Sequence, residues 1–291
     1  MIFQENDAPV LIVLGQSNAH GHGTQLAKSQ QLIAPLKNVK GLARSHNQSF
    51  GLSDVTWSGF TSFGMNLGET QDNTCCLAEQ FARRWQGYID AGNPYSLPDL
   101  YVIQISIGAM GVDRDERDGL NMWWPERPRV LQPGSLGIAD ISLYPLATEI
   151  FGLAMHNLKD SGKTPRIIGL HWNQWETEVD TGGAVLARAK ENYRRLFSGF
   201  RDALGSAYPL YLYRPISQVY QNPEGLLAMD ALLTSFAQQD ARVRLLDLTE
   251  SVLYRPERED KGIFQPDLVH YSPAAHGWFA DMQLHDVLCR S

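Results

Sequence analysis

Four short strings in the chain carry residues that can do acyl chemistry. The first is Gly15-Gln16-Ser17-Asn18, directly after the apolar run "APVLIVLG", with His20 and His22 following between glycines. A serine just past a strand presents its hydroxyl over the sheet edge. If a helix starts there, its own N–H has no intrahelical partner and can meet a developing oxyanion. A turn serine that caps the next helix would have the same local string. The second is "QPDLVHYSP" (265–273), with Asp267 three residues before His270. In a loop entering a helix, both side chains can face the same way. The carboxylate then accepts from one imidazole nitrogen and leaves the other to face a serine. Alone, this spacing is an aspartate in a turn and a histidine near a helix start. Paired with a serine after the first strand, it points to nucleophilic catalysis.

The third string, "GLHWNQWETEVD" (169–180), offers Asn173, Gln174, Glu176 and Glu178 among Trp172 and Trp175. A side-chain amide here can donate to an oxyanion. Glu176 can bind a substrate hydroxyl, orient a neighbour, or replace Asp267 beside the histidine. The plain alternative is a polar loop whose tryptophans pack as core. In the fourth, "ISIGAMGV" (105–112), Gly108 lets backbone N–H groups approach a ligand closely. A simple turn glycine would look the same. A metal site on His20 and His22 is a weaker rival, because alternate residues in a glycine-rich turn are flexible and no ligand cluster elsewhere complements them. No metal and no cofactor is expected.

Elements must position these strings. Continuous apolar, β-branched runs suit strands of a parallel sheet buried on both faces. They occur at 8–15, 100–108, 166–172, 208–216 and 243–248, with a shorter one at 39–44. Helical periodicity marks 75–89, 141–159, 185–204, 224–239 and 272–289, the last with Ser272 as cap and Pro273 at its first position. Strand and helix alternate throughout, which argues for a parallel sheet with helices on both faces. The aperiodic stretches 45–74 and 109–138 read as long connections, which in open α/β folds gather over the strand C-termini.

A chain of 291 residues with 43% apolar and 20% charged residues can bury a sizeable core as one α/β domain. Its net charge of -7 argues against nucleic acid or an anionic membrane as partner. The three cysteines, Cys75, Cys76 and Cys289, imply no disulfide framework, and the adjacent pair reads as packing residues. No apolar run has the length of a membrane span. The first residues do not form a signal peptide as they stand. A cytoplasmic location is therefore expected, or a periplasmic or secreted one if a leader has been removed.

Taken together, the "GQSN" at 15–18, the glycine after a middle strand, the W-x-Q-x-E segment and the terminal D-x-x-H resemble the SGNH-type hydrolases. The likeness is greatest to the carbohydrate acetylesterases grouped with sialate O-acetylesterases and certain acetylxylan esterases. The four blocks lie in that family's order. The resemblance implies a flavodoxin-like, three-layer α/β/α sandwich with a five-stranded parallel sheet, spanning 1–291 as a single esterase domain. It implies Ser17 as nucleophile, His270 as base and Asp267 as its partner, with Glu176 in place of or beside the aspartate in some relatives. Ser17 N–H, Gly108 N–H and the Gln174 amide would be the oxyanion donors. The implied reaction removes O-acetyl groups from a carbohydrate through an acetyl-enzyme. Asn18, Trp123, Trp172 and Trp175 are candidates for substrate contact, as are Trp57 and Trp124. Arg114, Arg117, Arg127 and Arg129 are candidates for binding an anionic sialate. The chain departs from the family pattern where Trp175 replaces a glycine, Glu178 an aspartate, and Ala109-Met110 a Gly-Thr pair. A lipase or thioesterase of the same fold, or a non-catalytic binder of acetylated sugars, are the alternatives.

Overall fold

A computed structural model describes residues 2–22, 30–32, 34–43, 55–60, 65–66, 75–128, 141–205, 207–216 and 222–289. Its centre is strand β1 (Asp7–Gly15), buried along its whole length. An apolar run without alternation can only be satisfied between two covering layers. Alternate side chains of β1 supply both. Ala8, Val10, Ile12 and Leu14 pack beneath α3 (Leu143–Asp160), α5 (Gly183–Leu204) and α6 (Pro223–Gln239). Leu11 and Val13 face α2 (Leu77–Asp90) and α7 (Pro273–Cys289) on the other side. The result is a three-layer α/β/α sandwich.

The sheet is wider than the five strands implied. Its order is β3-β2-β5-β1-β6-β7-β8, with β4 alongside β5. The strands β2 (Leu36–Ala43), β5 (Leu100–Ser106), β1, β6 (Thr164–Asn173), β7 (Leu210–Tyr213) and β8 (Val243–Leu246) run parallel. These are the six runs visible in the sequence. Strand β3 (Thr56–Phe60) adds antiparallel to β2, and the two-residue β4 (Met65–Asn66) pairs with β5. Both fall in a stretch without apolar alternation, so they form by pairing with strands already in place, β3 on the edge of β2 and β4 on the end of β5 that β2 leaves uncovered. Among the described residues no helix is long and apolar enough to cross a membrane.

The chain passes from β1 to one side of the sheet and later returns to its other side at β6. This leaves a crevice above the carboxyl ends of β5, β1 and β6. Those ends are level, since Gly15 pairs in register with both Ser106 and Asn173. The first, third and fourth reactive strings therefore leave the sheet at the same height. The last string is delivered by α7, where Ala275 N donates to Ser272 Oγ at 3.3 Å and Pro273 opens the helix.

Trp123, Trp172 and Trp175 are not sugar platforms. They are almost wholly buried, with Trp123 set edge-on against Trp172 and Phe200. Their apolar area decides the matter, because each gains more from the core than from an exposed wall. Cys75 and Cys76 are also buried, and burial pushes their thiols up to about 12 and about 11.

Gly15 has φ of 137°, and a Cβ there would overlap the Asn173 carbonyl oxygen. Only glycine allows β1 to end this close to β6. Gly15→Ala is expected to cost about 2 kcal/mol or more of unfolding free energy, read as a lower urea midpoint at unchanged slope.

Candidate active site

Beyond Gly15 the chain makes one tight helical turn, α1 (Ser17–His20). Gly21 N and His22 N both donate to Ser17 O at 3.0 Å. Gly21, at φ of 83°, closes the turn against the Cys75 carbonyl, which a Cβ would approach to 2.6 Å. Ser17 is left half-buried at the turn's start. Its own N–H and hydroxyl make no hydrogen bond to a described residue, and neither does Gly108 N–H. Gly108 lies directly over the serine. A Cβ built on it would sit 3.7 Å from Ser17 Cβ. Two backbone N–H groups without a described partner thus belong to residues packed against each other at this turn.

Asp267 and His270 meet as the spacing suggests. His270 Nδ1 lies 2.8 Å from Asp267 Oδ2. The other carboxylate oxygen accepts from Val269 N at 2.9 Å and His270 N at 3.0 Å. Partial burial pushes the Asp267 carboxyl up, but those two amides and the imidazole outweigh it and hold it below its ordinary range. An anionic Asp267 fixes the proton on Nδ1, so Nε2 carries the lone pair. His171 and His276 are wholly buried, and burial is the main cause that lowers each to about 3.

Asn18 ties the His270 segment to the turn that carries Ser17. It is 2% exposed, and its amide is fully used. Oδ1 accepts from Tyr271 N at 2.9 Å, while Nδ2 donates to Val269 O at 3.3 Å and to Glu176 Oε1 at 2.8 Å. The residues on both sides of His270 are therefore tied to the residue after Ser17. Asn18 is a clamp rather than a substrate contact. Glu176 is its anchor and makes no hydrogen bond to His270. The histidine's carboxylate partner is Asp267.

Gln174 is also reassigned. Its Nε2 donates to Met110 O at 2.6 Å and lies 3.4 Å from Glu178 Oε2, and the side chain is buried. Here it braces the loop that carries Gly108. Glu178 does the same, accepting from Val112 N at 2.8 Å and from Tyr193 O–H at 2.9 Å. The short helix α4 (Glu176–Thr181) sets both carboxylates inward. Burial raises the pKa of each against the hydrogen bonds they accept, and the neighbouring Glu178 carboxylate raises that of Glu176 further.

Sequence reasoning undervalued His22. Its ring centroid lies 4.8 Å from that of His270, so it packs against the base. His20 is buried, 6.4 Å from His22 between ring centroids. Among the described residues no three His, Cys, Asp or Glu side chains converge as metal ligands. Ser17 opens onto a cleft of about 450 Å³, walled by Ala109, Asp118, Thr177, Asp180 and Val269. A larger groove of about 740 Å³ lies on the α2–α7 face around Arg84, Trp278 and Asp281, remote from Ser17.

By sequence the chain matches no family model and no curated protein. Solved structures do match. NanS superposes with a TM-score of 0.66 at 15% identity, covering 98% of each chain. A protein from Arabidopsis thaliana gives 0.63 at 13% identity, over 98% of this chain and 99% of that one. A carbohydrate acetylesterase from Xanthomonas citri gives 0.51 at 11% identity, over 96% of this chain and 56% of that one. What these structures share with the chain is the fold, a three-layer α/β/α sandwich around a mostly parallel sheet.

Asn18→Ala would strand the Tyr271 N–H and one Glu176 oxygen in a buried site. It is expected to cost about 2 kcal/mol in urea unfolding and to slow the labelling of Ser17 by a fluorophosphonate. Glu178→Gln keeps the site's shape, since its new N–H can donate to Tyr193 O while the phenol turns to Gln174 O, 3.1 Å away. A carboxyl whose folded pKa is raised stabilises fully below its unfolded pKa of about 4.3 and loses that contribution as pH rises. The glutamine does not titrate. The unfolding free energy of Glu178→Gln relative to wild type should therefore increase from about pH 4 to pH 7. A flat difference would mean that Glu178 does not titrate abnormally.

Proposed function

We propose that the chain is a serine esterase that removes O-acetyl groups from a carbohydrate. The observation that carries this reading is the Asp267–His270 pair, clamped by Asn18 to the turn that carries Ser17, where Ser17 N–H and Gly108 N–H have no described partner. In the proposed reaction His270 Nε2 takes the Ser17 proton as Oγ attacks the acetyl carbonyl. Ser17 N–H and Gly108 N–H receive the oxyanion. The tetrahedral species collapses as His270 returns the proton to the departing sugar oxygen. Water, activated by the same imidazole, then cleaves the acetyl-enzyme. Asp267 stays anionic throughout and stabilises the imidazolium.

The cleft supports a small acyl group and a hydroxyl-rich leaving group. Ala109, Leu120 and Val269 give the cleft its apolar wall, and Thr177, Thr181, Asp118 and Asp180 are among its polar lining. A lipase or thioesterase needs a longer apolar groove than this polar rim offers. The likeness in fold to a carbohydrate acetylesterase is further support for the reading.

Ser17→Ala should lower acetate release from p-nitrophenyl acetate by about a thousandfold or more, with binding of acetylated sugar retained. Activity that survives the change would rule out Ser17 as nucleophile. Binding without acetate release in the wild type would instead identify a non-catalytic sugar binder. Acetate release from acetylated xylan oligomers, O-acetylated sialic acid and an acetyl cephalosporin distinguishes the carbohydrate classes.

A further inference from the structure

The cleft wall bears on which acetylated sugar fits. Resting on the esterase reading, we propose that the substrate is a neutral, hydroxyl-rich sugar rather than one bearing a carboxylate. Asp118 and Asp180 are the residues that decide between the two.

Both aspartates are exposed and both line the cleft that opens on Ser17. Asp180 sits in the last turn of α4 and has no ion-pair partner among the described residues. Asp118 is held in a left-handed conformation, φ 47°, within a single 3₁₀ turn closed by Leu120 N donating to Arg117 O at 2.9 Å. The turn leaves Asp118 exposed on the cleft wall.

The one cation among the described lining residues is Arg117, and its guanidinium is paired with Asp115. Nε lies 2.9 Å and 3.1 Å from the two oxygens of Asp115, and Nη2 donates to Oδ2 at 2.6 Å. Asp115 offsets the charge that this guanidinium presents to a substrate carboxylate, although Nη1 takes no part in the fork. Nearby arginines do not replace it. Arg127 turns onto Asn121 Oδ1 at 2.8 Å, and Arg188 pairs with Asp113 at 2.6 Å. Arg114 is exposed but is not on the cleft wall, and Arg129 lies outside the described residues.

Among the described lining residues the cleft therefore carries the exposed carboxylates of Asp118 and Asp180 and the buried Glu176, beside the Arg117–Asp115 ion pair. It is rich in acceptors, and sugar hydroxyls are donors. Thr177 adds to this, because its hydroxyl proton is spent on Gln16 Oε1 at 2.7 Å, which leaves its oxygen as an acceptor. A neutral sugar gains charge-assisted hydrogen bonds here, whereas a sugar acid meets like charge.

The test compares an acetylated methyl glucopyranoside with the matching acetylated methyl glucuronopyranoside, which differ only in whether C6 carries a hydroxyl or a carboxylate. At low salt the neutral sugar should be favoured about tenfold or more in kcat/KM, and the ratio should shrink at 0.5 M salt as screening sets in. It should also shrink in the variant Asp118→Asn with Asp180→Asn. Asparagine tolerates the left-handed backbone at 118, so the turn is retained. A ratio near one, a preference for the uronide, or a ratio unmoved by the substitutions overturns the proposal. So does hydrolysis of p-nitrophenyl acetate with neither sugar cleaved. Wild-type protein inert even to p-nitrophenyl acetate marks the failure of the esterase reading itself.

Discussion

The site depends on one side chain amide. Asn18 accepts from Tyr271 N and donates to Val269 O, so it binds the backbone on either side of His270. Its place next to Ser17 in the same helical turn converts those bonds into a register between the Ser17 turn and the His270 segment. Nothing in the local sequence of either segment could provide this, since they are separated by most of the chain. The clamp is buried, and a buried amide is stable only when its polar atoms are paired. That requirement links the geometry of His270 to the integrity of the interior.

Glu176 and Glu178 extend the same logic. Burying two carboxylates is costly, and burial raises the pKa of each. Their return is control over loops. Glu176 anchors Asn18 and so the histidine segment, while Glu178 holds Val112 N, a few residues beyond Gly108. Tyr193 on α5 locks Glu178 from behind. The Gly108 loop and the His270 segment are thus both braced from one short helix. Trp172 and Trp175 fill the apolar space around it.

Much of the fold was legible in the sequence. The six apolar runs all became parallel strands, because residues that are apolar on both faces have no other stable place in a soluble α/β protein. The five helical patterns became α2, α3, α5, α6 and α7. What escaped were β3 and β4, which pair with strands already in place, and α4, whose polar string gives no periodic signal. The pairing of Asp267 with His270 was legible because three residues in one turn bring them together locally. The roles of Gln174, Glu176, Asn18 and the three tryptophans were not. Their types allow either a ligand contact or an interior contact, and only neighbours remote in sequence choose between the two. His22 escaped for the same reason, since its contact with His270 crosses the molecule.

By itself, the sequence determined the layered parallel fold, the serine turn and the aspartate–histidine pair, all set by periodicity or short-range spacing. The tertiary structure decided which polar residues face the cleft and which face inward. It turned Asn18, Gln174 and both glutamates into supports and left Asp118 and Asp180 at the rim. The physical reason is that hydrogen-bond partners of buried groups are fixed by packing over long sequence distances. A residue's chemical type states what it can bind, and the fold states what is there to be bound.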